Sequence, residues 1–137
     1  METTSFTWTC ESPARLLGCG VDVEDAERFR KLASEAHPWP MVFTADELVH
    51  IRALPDPPLG FCAAFACKEA TLKALRELPR LTDCECFYRA AGQGDSRLRL
   101  SAALCRRHGI VESQVRVIPS GNRELICVVH LFGASEA

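Results

Sequence analysis

The sequence predicts an α+β fold, with an antiparallel sheet packed against one long buried helix and several shorter helices. One stretch of about 19 residues, between Pro57 and Pro79, has a helical distribution of apolar residues and is long enough to cross a small domain. Short segments of alternating apolar and polar residues, separated by glycine-containing turns, predict antiparallel strands in the second half of the chain. A length of 137 residues with 47% hydrophobic and 25% charged residues fits a single globular core.

The composition excludes several functional classes. The chain has no uninterrupted apolar run of roughly 18 residues and no basic start followed by an apolar segment, so it predicts neither a membrane span nor a signal peptide. We therefore expect a cytoplasmic protein without a membrane partner. A net charge of -2 provides no general basic field, so no nucleic-acid partner is expected.

The eight cysteines favour reduced core thiols over disulfides, because most of them lie within apolar periodic segments. Cys84 and Cys86 are close in the sequence, and in a strand both thiols would lie on one face. A zinc site there would need further ligands at suitable spacing, and the sequence has no second such pair. Metal binding by these two cysteines is therefore the less favoured alternative.

The first part of the chain predicts an arm followed by a strand. Residues 1–13 have no sustained periodicity and predict a loose arm ahead of a single domain at 14–137. Residues 15–23 predict a buried strand in which two glycines allow another backbone or a ligand to approach closely. Asp22 interrupts the apolar run of this strand. Because an unpaired buried carboxylate is unfavourable, Asp22 is either a functional group or the cap of the following helix.

Two helices are predicted next. Residues 24–36 predict a polar helix with acidic residues first and basic residues after them, as the helix dipole favours, and Pro38 and Pro40 end it. The segment Thr44–Glu47 matches a capping box and predicts a short helix over residues 45–54. Capping alone is a sufficient explanation for this motif. A proline-rich turn then leads into the long helix.

After Pro79 the predicted elements are shorter. The pattern predicts a hairpin around a Gly-Gln-Gly-Asp turn, a helix that Ser101 caps and Gly109 ends, and a second strand pair around a Ser-Gly-Asn turn. The predicted bounds are 84–89 and 97–100 for the hairpin, 101–107 for the helix, and 115–118 and 124–132 for the last two strands.

The long helix carries charged residues at positions that are unusual for a buried element. At about 100° per residue, Lys68 falls in the middle of an apolar stripe, between Phe65 and Leu72, so its ammonium requires an anionic partner if it stays buried. Glu69 and Lys73 lie one turn apart at the edge of this stripe. The alternative is that Lys68 extends to solvent while Glu69 and Lys73 form a surface ion pair.

Three motifs occur along the chain in a fixed order. They are Gly18-Cys-Gly-Val-Asp22-Val, Val42-Phe-Thr-x-x-Glu47-Leu and Phe65-Ala-Cys-Lys68-Glu69-Ala-x-x-Lys73-Ala-Leu. Together with the strand-helix-strand tail they span about residues 15–132. In order and spacing they resemble the phosphopantetheinyl transferase superfamily, specifically its short holo-acyl-carrier-protein synthase type.

This resemblance implies a phosphopantetheinyl transferase-like fold and transfer of the phosphopantetheine arm of coenzyme A to a serine of an acyl or peptidyl carrier protein. It places Mg²⁺, the implied cofactor, on Asp22 and Glu69, whose oxygen ligands suit this ion. It assigns Lys68 and Lys73 to the phosphates of coenzyme A and, with Glu69, to the catalytic set. Arg28 matches a carrier-docking position, although a solvated helix face explains it equally well. The family also suggests fatty acid biosynthesis and a homotrimer.

The sequence departs from the family pattern at two positions. Before the final strand the family has Ser-x-Ser-His, whereas the aligned residues here run from Arg116 to Ser120, with Pro119 in place of the histidine. Ahead of the Lys-Glu motif many members have an arginine, where this chain has Ala64. Both changes remove positive or hydrogen-bonding groups, from which weaker coenzyme A binding or loss of activity is expected. The alternative function is therefore a non-catalytic relative that binds carrier protein or coenzyme A.

Overall fold

The computed structural model describes residues 14–33, 39–77, 79–90, 92–121 and 123–135. All strand pairs within these residues are antiparallel, which confirms the predicted α+β class. The elements are β1 (Ala14–Asp25), α1 (Ala26–Ala33), α2 (Trp39–Val42), α3 (Ala45–Arg52), α4 (Pro57–Leu75), a 3-10 turn (Leu81–Asp83), β2 (Cys84–Phe87), β3 (Arg97–Leu100), α5 (Ala102–His108), β4 (Ile110–Ser120) and β5 (Glu124–Ala134).

Helix α4 has the predicted length of 19 residues. It begins at Pro57, where the Asp56 side chain accepts a hydrogen bond from the Leu59 amide, and proline suits the first helical positions because their N–H groups lack helical partners. It ends at Leu75, because Arg76 adopts a left-handed conformation with φ of 58°. None of the helices in the described ranges is long and apolar enough to cross a membrane.

The shorter elements agree with the sequence analysis where local signals are strong. The capping box of Thr44 and Glu47 begins α3, and Ser101 caps α5, which ends at Gly109. The hairpin is formed by β2 and β3. Of the first predicted helix the structure describes Ala26–Ala33, and the arm at 1–13 lies outside the described residues.

The strand predicted as buried at 15–23 is exposed on one face, where Leu16, Val21 and Val23 are about half exposed, because α4 covers its other face. The helix predicted from residue 24 begins at Ala26, because β1 continues to Asp25.

Two further local predictions are wrong. Strand β4 begins at Ile110, five residues before the predicted start at 115, because a register shift between Ile110 and Glu112 breaks the alternation that marks a strand in the sequence. The four-residue helix α2 was not expected at all. Both errors concern segments whose conformation depends on neighbouring strands or on very few residues.

The three-stranded sheet has the strand order β1-β5-β4, and α4 packs across one of its faces against β1 and β5. We call this the inner face. Because side chains alternate along a strand, Gly18, Gly20, Asp22 and Glu24 of β1 lie on the inner face. The opposite surface, here called the open face, carries Cys19, Val21 and Val23 of β1 and their partners on β5, His130, Val128 and Ile126.

Helix α4 is buried on nearly all sides, as expected from its composition. Its small residues allow the sheet, α1 and β2 to pack closely around it. Five cysteines are completely buried in this core, and the Sγ atoms of Cys67 on α4 and Cys127 on β5 lie 2.9 Å apart. All seven cysteines in the described residues are free thiols, in agreement with the prediction of reduced core cysteines.

Two glycines of β1 bring the strand into direct contact with the backbone of α4. A Cβ atom at Gly20 would lie 1.8 Å from the Ala70 carbonyl oxygen, and one at Gly18 would lie 2.2 Å from that of Ala74. No side chain fits in either place unless the helix moves away from the strand. The separation of β1 and α4 is therefore set by these two residues.

We predict that Gly20→Ala lowers the free energy of unfolding by about 3 kcal/mol or more, because the clash is with backbone atoms that cannot rotate away. The gain from a stiffer unfolded chain, about 0.4–1 kcal/mol, is too small to offset this loss. Urea denaturation measures the difference. The matched control is Cys19→Ala on the open face of the same strand, which should stay within about 0.5 kcal/mol of wild type. A Gly20→Ala variant as stable as this control would contradict the packing described.

Candidate functional site

Asp22 and Lys73 form the first contact of the candidate site, between β1 and α4. The Lys73 ammonium donates to Asp22 Oδ1 at 2.9 Å and to the Val21 carbonyl oxygen at 3.0 Å. The Asp22 side chain is 11% exposed, whereas that of Lys73 is 55% exposed. The carboxylate is thus held inside the fold and the cation approaches it from solvent.

Helix capping does not explain Asp22. The carboxylate that accepts from the start of α1 belongs to Asp25, whose Oδ1 lies 2.9 Å from the Glu27 amide nitrogen. Asp22 Oδ2 is buried, and no donor among the described residues reaches it. With its neighbours ionised, this oxygen requires a proton or a cation, since a buried acceptor without a partner costs about 1–3 kcal/mol.

Glu24 adds a second carboxyl group two residues further along the inner face. Its pKa is raised to about 7, first by burial, then by a hydrogen bond with Asp22 and by the charge of Asp22. The charge of Glu69 raises this pKa further, while the charge of Arg28 lowers it. Asp22, Glu24 and Glu69 therefore form one electrostatic cluster, in which the negative charges of Asp22 and Glu69 repel that of Glu24.

Glu24 was not predicted from the sequence as a site residue. The available signal was its spacing, because residues two apart in a strand lie on the same face, so a strand that directs Asp22 toward α4 directs Glu24 there too. The residue was instead assigned to the start of the following helix, which begins two residues later.

The donor set of this cluster fits Mg²⁺. Carboxylate oxygens are the ligands this ion prefers, and it commonly uses one or two of them together with water and phosphate oxygens. The orphaned oxygen of Asp22 faces an acidic environment that a dication would neutralise. In the part of the chain that the structure describes, no group of three or more His, Cys, Asp or Glu side chains is close enough together to hold a metal ion by itself, so Asp22 and its neighbours would need ligands from outside the protein. The arrangement suits a metal that shares its coordination with a substrate.

Lys68 is not brought to the carboxylate cluster. Its side chain is fully buried and donates to Glu47 Oε1 at 2.7 Å, to the Leu81 carbonyl oxygen at 2.8 Å and to the Cys84 carbonyl oxygen. The predicted anionic partner of Lys68 therefore exists, but it is Glu47 of the capping box. A contact between Lys68 and a diphosphate does not agree with this placement, and neither does the alternative in which the side chain extends to solvent.

Glu47 therefore has two roles, since it completes the capping box of α3 and is also the anionic partner of Lys68. Its Oε1 accepts from the Thr44 amide, which completes the capping box, and its Oε2 accepts from the Cys86 amide at 2.9 Å. Burial raises the pKa of Glu47, while the charge of Lys68 and these hydrogen bonds act in the opposite direction. The pair thus connects α3, α4 and β2 inside the core, and capping alone does not account for Glu47.

The remaining predicted residues lie around the cluster. Arg28 is exposed on α1, close enough to Glu24 to influence its pKa. Pro119 lies on the inner face of β4, in the same row as Glu24 with Leu125 of β5 between them, so two strand spacings, roughly 10 Å, separate their backbones. Ala64 is completely buried within α4. Of the two positions that depart from the family pattern, Pro119 is exposed and Ala64 is buried.

A cavity of about 280 Å³ lies at the C-terminal end of α4, beginning at Ala74, the residue after Lys73. Its walls combine apolar side chains such as Leu17 and Leu131 with polar groups from Arg76 and His108. This volume is below the usual range of about 300–1,000 Å³ for sites that enclose a whole ligand. The cavity can accept one part of a larger molecule.

Comparison with known proteins identifies the family. A family model described as the 4'-phosphopantetheinyl transferase superfamily matches residues 18–123, a range that contains the carboxylate cluster, Lys73 and the Glu47–Lys68 pair. The chain belongs to this superfamily. The resemblance found in the sequence and the enzyme class, phosphopantetheinyl transferase, are thereby confirmed. Among curated proteins the sequence has no significant match.

Solved structures of phosphopantetheinyl transferases share the fold. A holo-ACP-synthase from Plasmodium yoelii is 18% identical, with a TM-score of 0.73 over 90% of this chain and 100% of its own. The holo-[acyl-carrier-protein] synthase from Neisseria meningitidis is 19% identical, with a TM-score of 0.71 over 85% and 98%. A Bacillus anthracis holo-(acyl-carrier-protein) synthase in complex with CoA (3',5'-ADP) is 22% identical, with a TM-score of 0.65 over 87% and 98%. At these identities the comparison establishes the fold.

We predict that Lys68→Met destabilises the protein by about 3–5 kcal/mol, because it leaves the Glu47 carboxylate buried without its cation. The double variant Glu47→Gln/Lys68→Met should recover part of this loss, since glutamine is uncharged and keeps an acceptor for the backbone amides. Denaturant unfolding of the three proteins at one pH measures both effects. A double variant no more stable than Lys68→Met would contradict the ion pair.

We also predict that the stability difference between Lys68→Met and wild type depends on pH. Without Lys68 the pKa of Glu47 in the folded state stays raised above its unfolded value of about 4.3. The stability of Lys68→Met relative to wild type should therefore be greatest below that value and should fall as the pH rises through the folded pKa. Unfolding measured between about pH 4 and pH 8 tests this, and the double variant, which has no carboxyl group at position 47, should lack the trend.

Proposed function

We propose that this chain transfers 4'-phosphopantetheine from coenzyme A to a serine hydroxyl of an acyl or peptidyl carrier protein, with Mg²⁺ as cofactor. The observation that carries the proposal is the buried Oδ2 of Asp22, which lacks a donor while Glu24 is ionised and lies within the cluster of Asp22, Glu24 and Glu69. The Bacillus anthracis relative contains CoA (3',5'-ADP), which supports coenzyme A as the donor substrate.

Asp22 and Glu69 are the proposed metal ligands, and Glu24 is a third carboxyl group that interacts with both of them. When bound, Mg²⁺ would neutralise the diphosphate of coenzyme A and stabilise the leaving phosphate oxygen. The protein orients this site through β1 and α4, which are held at a fixed separation by Gly18 and Gly20. Preorganised charge of this kind supplies most of the catalysis in phosphoryl transfer.

Lys73 is the proposed cation for the diphosphate. Its ammonium already lies beside Asp22, and its side chain is 55% exposed, so it can rotate toward a phosphate oxygen that approaches from solvent. The cavity that begins at Ala74 would then receive an apolar part of the same ligand. For Lys68 we propose a structural role in place of the phosphate contact, because its three hydrogen bonds to protein acceptors leave it no exposed surface.

Helix α1 is the proposed docking surface for the carrier protein. Arg30 on this helix bonds to Asp56 through both carboxylate oxygens, at 2.8 Å and 3.3 Å, and also pairs with Glu27. Arg28 is exposed and has no such bidentate partner in the described residues, which leaves it better placed to meet acidic groups on another protein. Its proximity to Glu24 would bring a docked carrier close to the carboxylate cluster.

We also propose that the chain self-associates as a homotrimer through the open face of the sheet. Leu16, Val21 and Val23 on β1 are 54%, 47% and 51% exposed, and their partners on β5 are also apolar, although Phe132 and Val128 expose little surface. Contiguous apolar surface of this kind is typical of interaction sites between proteins. Light scattering should give the mass of a trimer at micromolar concentration, and a monomeric mass at every concentration would contradict the assembly.

The second candidate function, a non-catalytic module that binds coenzyme A or carrier protein, is favoured by Pro119 and Ala64. Neither residue offers a phosphate-binding group where many relatives have one. Mass spectrometry of apo carrier proteins after incubation with coenzyme A, Mg²⁺ and this chain separates the two candidates. Addition of one phosphopantetheine group is expected. Failure to modify a panel of fatty-acid, polyketide and peptide carriers would reject the enzyme and favour the module.

We predict that Asp22→Asn and Glu69→Gln leave the free protein as stable as wild type or more stable, because each removes a charge from a repelling cluster. Both variants should lose the stabilisation by Mg²⁺ with coenzyme A, which for wild type reaches about 2.7 kcal/mol at 100 times Kd. Turnover should fall by about 100-fold or more. Thermal melts with and without ligand measure the first two effects.

The control for these melts is Asp46→Asn. Asp46 is an exposed carboxylate of α3 that pairs with Arg99 of β3 and not with a residue of the carboxylate cluster. It should keep the full ligand response. A destabilised Asp22→Asn protein that still responds fully to Mg²⁺ and coenzyme A would reject the proposed ligand pair.

We further predict that Arg28→Glu raises the KM for the carrier protein by about 10-fold or more at low salt and leaves the KM for coenzyme A nearly unchanged. The reason is that reversed charge repels an acidic partner, an effect that weakens beyond a Debye length of about 8–10 Å and with added salt. Arg106→Glu on α5, also exposed, is the matched control. An equal rise in the KM for the carrier protein and in the KM for coenzyme A would show that Arg28 is not part of the docking surface.

A further inference from the structure

A thiol and an imidazole lie together on the open face of the sheet. Cys19 on β1 and His130 on β5 are directly paired across the two strands, and Cys19 Sγ lies 3.6 Å from His130 Nε2. This pair points away from α4 and from the carboxylate cluster, and the proposed transfer reaction does not use it.

Cys19 differs from the other cysteines of the described residues in its exposure. It is the exposed thiol of this set, whereas Cys105 is partly buried and the other five are buried. Buried thiols such as Cys67 have a raised pKa because burial disfavours the thiolate, which makes them poor nucleophiles. Reagents in solution therefore meet Cys19 first.

The imidazole of His130 is positioned to act as a base. Its ring stacks on Phe132, with the ring centroids 6.3 Å apart and the planes 16° from parallel, which limits its rotation. Partial burial lowers the pKa of His130, so that the ring is neutral and can accept a proton at neutral pH. The charged side chains on the same face are Glu112 and Arg116 of β4, on either side of the position that pairs with His130, and Asp25 of β1 with Glu124 of β5 at the far end of the strands.

We propose that Cys19 is a site of reversible thiol–disulfide modification with His130 as its base, and that this modification and self-association through the open face exclude each other. The modifying reagent is a low-molecular-weight disulfide. The second half of the proposal rests on the assembly proposed above, while the first half is independent of it.

The exchange reaction is balanced. The Cys19 sulfur attacks one sulfur of the reagent disulfide, forming a new S–S bond while the original S–S bond breaks. His130 Nε2 accepts the thiol proton during the attack and then gives it to the leaving thiolate. Cys19 is oxidised to a mixed disulfide, and the leaving half of the reagent is reduced to a thiol. A second thiol reverses the reaction by the same route.

The consequence for assembly follows from the position of Cys19. It is next to Val21 and close to Leu16, at the centre of the exposed apolar surface of β1. A polar adduct there adds charge and bulk to a surface that another copy of the chain would have to cover. Conversely, an assembled open face would shield the thiol from the reagent.

The experiment uses the full chain and oxidised glutathione as the reagent. Dilute reduced protein is incubated at pH 7, and intact-mass measurements with peptide mapping follow the adduct over time. We expect one glutathionyl group on Cys19, removed by dithiothreitol. The matched control Cys105→Ser should react at the wild-type rate, and Cys19→Ser should not react. An adduct at another cysteine, or none at a dilution where light scattering gives a monomeric mass, would overturn the modification site.

The role of the imidazole has its own readout. His130→Gln, which removes the base and keeps a polar group, should slow the reaction about 10-fold or more at pH 7. At about pH 9.5 the two rates should converge, because hydroxide in solution then removes the thiol proton without the imidazole. Equal rates at pH 7 would reject His130 as the base, and a difference that persists at high pH would show that the substitution acts through structure.

Light scattering of the modified and reduced proteins tests the link to assembly. The modified protein should have the lower mass, and dithiothreitol should restore the higher one. Unchanged mass on modification would overturn the mutual exclusion. A reduced protein that is monomeric at every concentration would instead reject the proposed assembly, and in that case the adduct on Cys19 would still stand on its mass measurement. Transferase activity is measured separately, and its absence would not change the interpretation of the adduct mass or of the light-scattering mass.

Discussion

Strand β1 and helix α4 touch backbone to backbone, and the rest of the site depends on that contact. The positions of closest approach are Gly18 and Gly20, where any Cβ would overlap a carbonyl oxygen of the helix. Two residues beyond Gly20, the strand presents Asp22 to the same helix surface, within 2.9 Å of Lys73. A larger separation would leave this carboxylate in an apolar layer without a cation. The steric requirement for glycine and the placement of the acidic cluster thus have one geometric origin.

The Glu47–Lys68 pair solves a different problem, which is the rotation of α4 about its own axis. A helix that is apolar on nearly all sides can be buried in several orientations at similar cost, because its hydrophobic surface does not distinguish them. A buried ammonium with three fixed acceptors on α3, β2 and the preceding turn permits one orientation. Buried ion pairs are weak contributors to stability but can specify a unique arrangement, and we interpret this one so. Glu69, the next residue along, is directed toward β1 as a consequence.

The sequence predicts most of the fold because strong local signals mark its elements. Asp56, Thr44 and Ser101 cap their helices through side chain to backbone bonds, and left-handed residues end α4 and α5. These signals act within a few residues and are visible without tertiary structure. The start of β4 and the helix α2 lack such signals, since the first is set by a register shift against β5.

The candidate site was less predictable, for a physical reason. Helix periodicity identifies Lys68 as a buried cation, but its partner is 21 residues away on another helix, and periodicity contains no information about distance across the fold. The motif resemblance directed both lysines to the substrate, and the structure separates them. Glu24 was missed because strand and helix meet near that residue, so its face depended on where the strand ends.

The central claim is that the carboxylates of β1 and α4 hold a metal ion shared with coenzyme A. A crystal structure with Mn²⁺ and coenzyme A, with an anomalous difference map collected for manganese, tests it most directly. The account predicts an anomalous peak about 2.0–2.2 Å from carboxylate oxygens of Asp22 and Glu69 and from a diphosphate oxygen, with Lys73 displaced from Asp22 toward the phosphate. Coenzyme A bound elsewhere, or bound with no peak at these carboxylates and Lys73 still on Asp22, would contradict it.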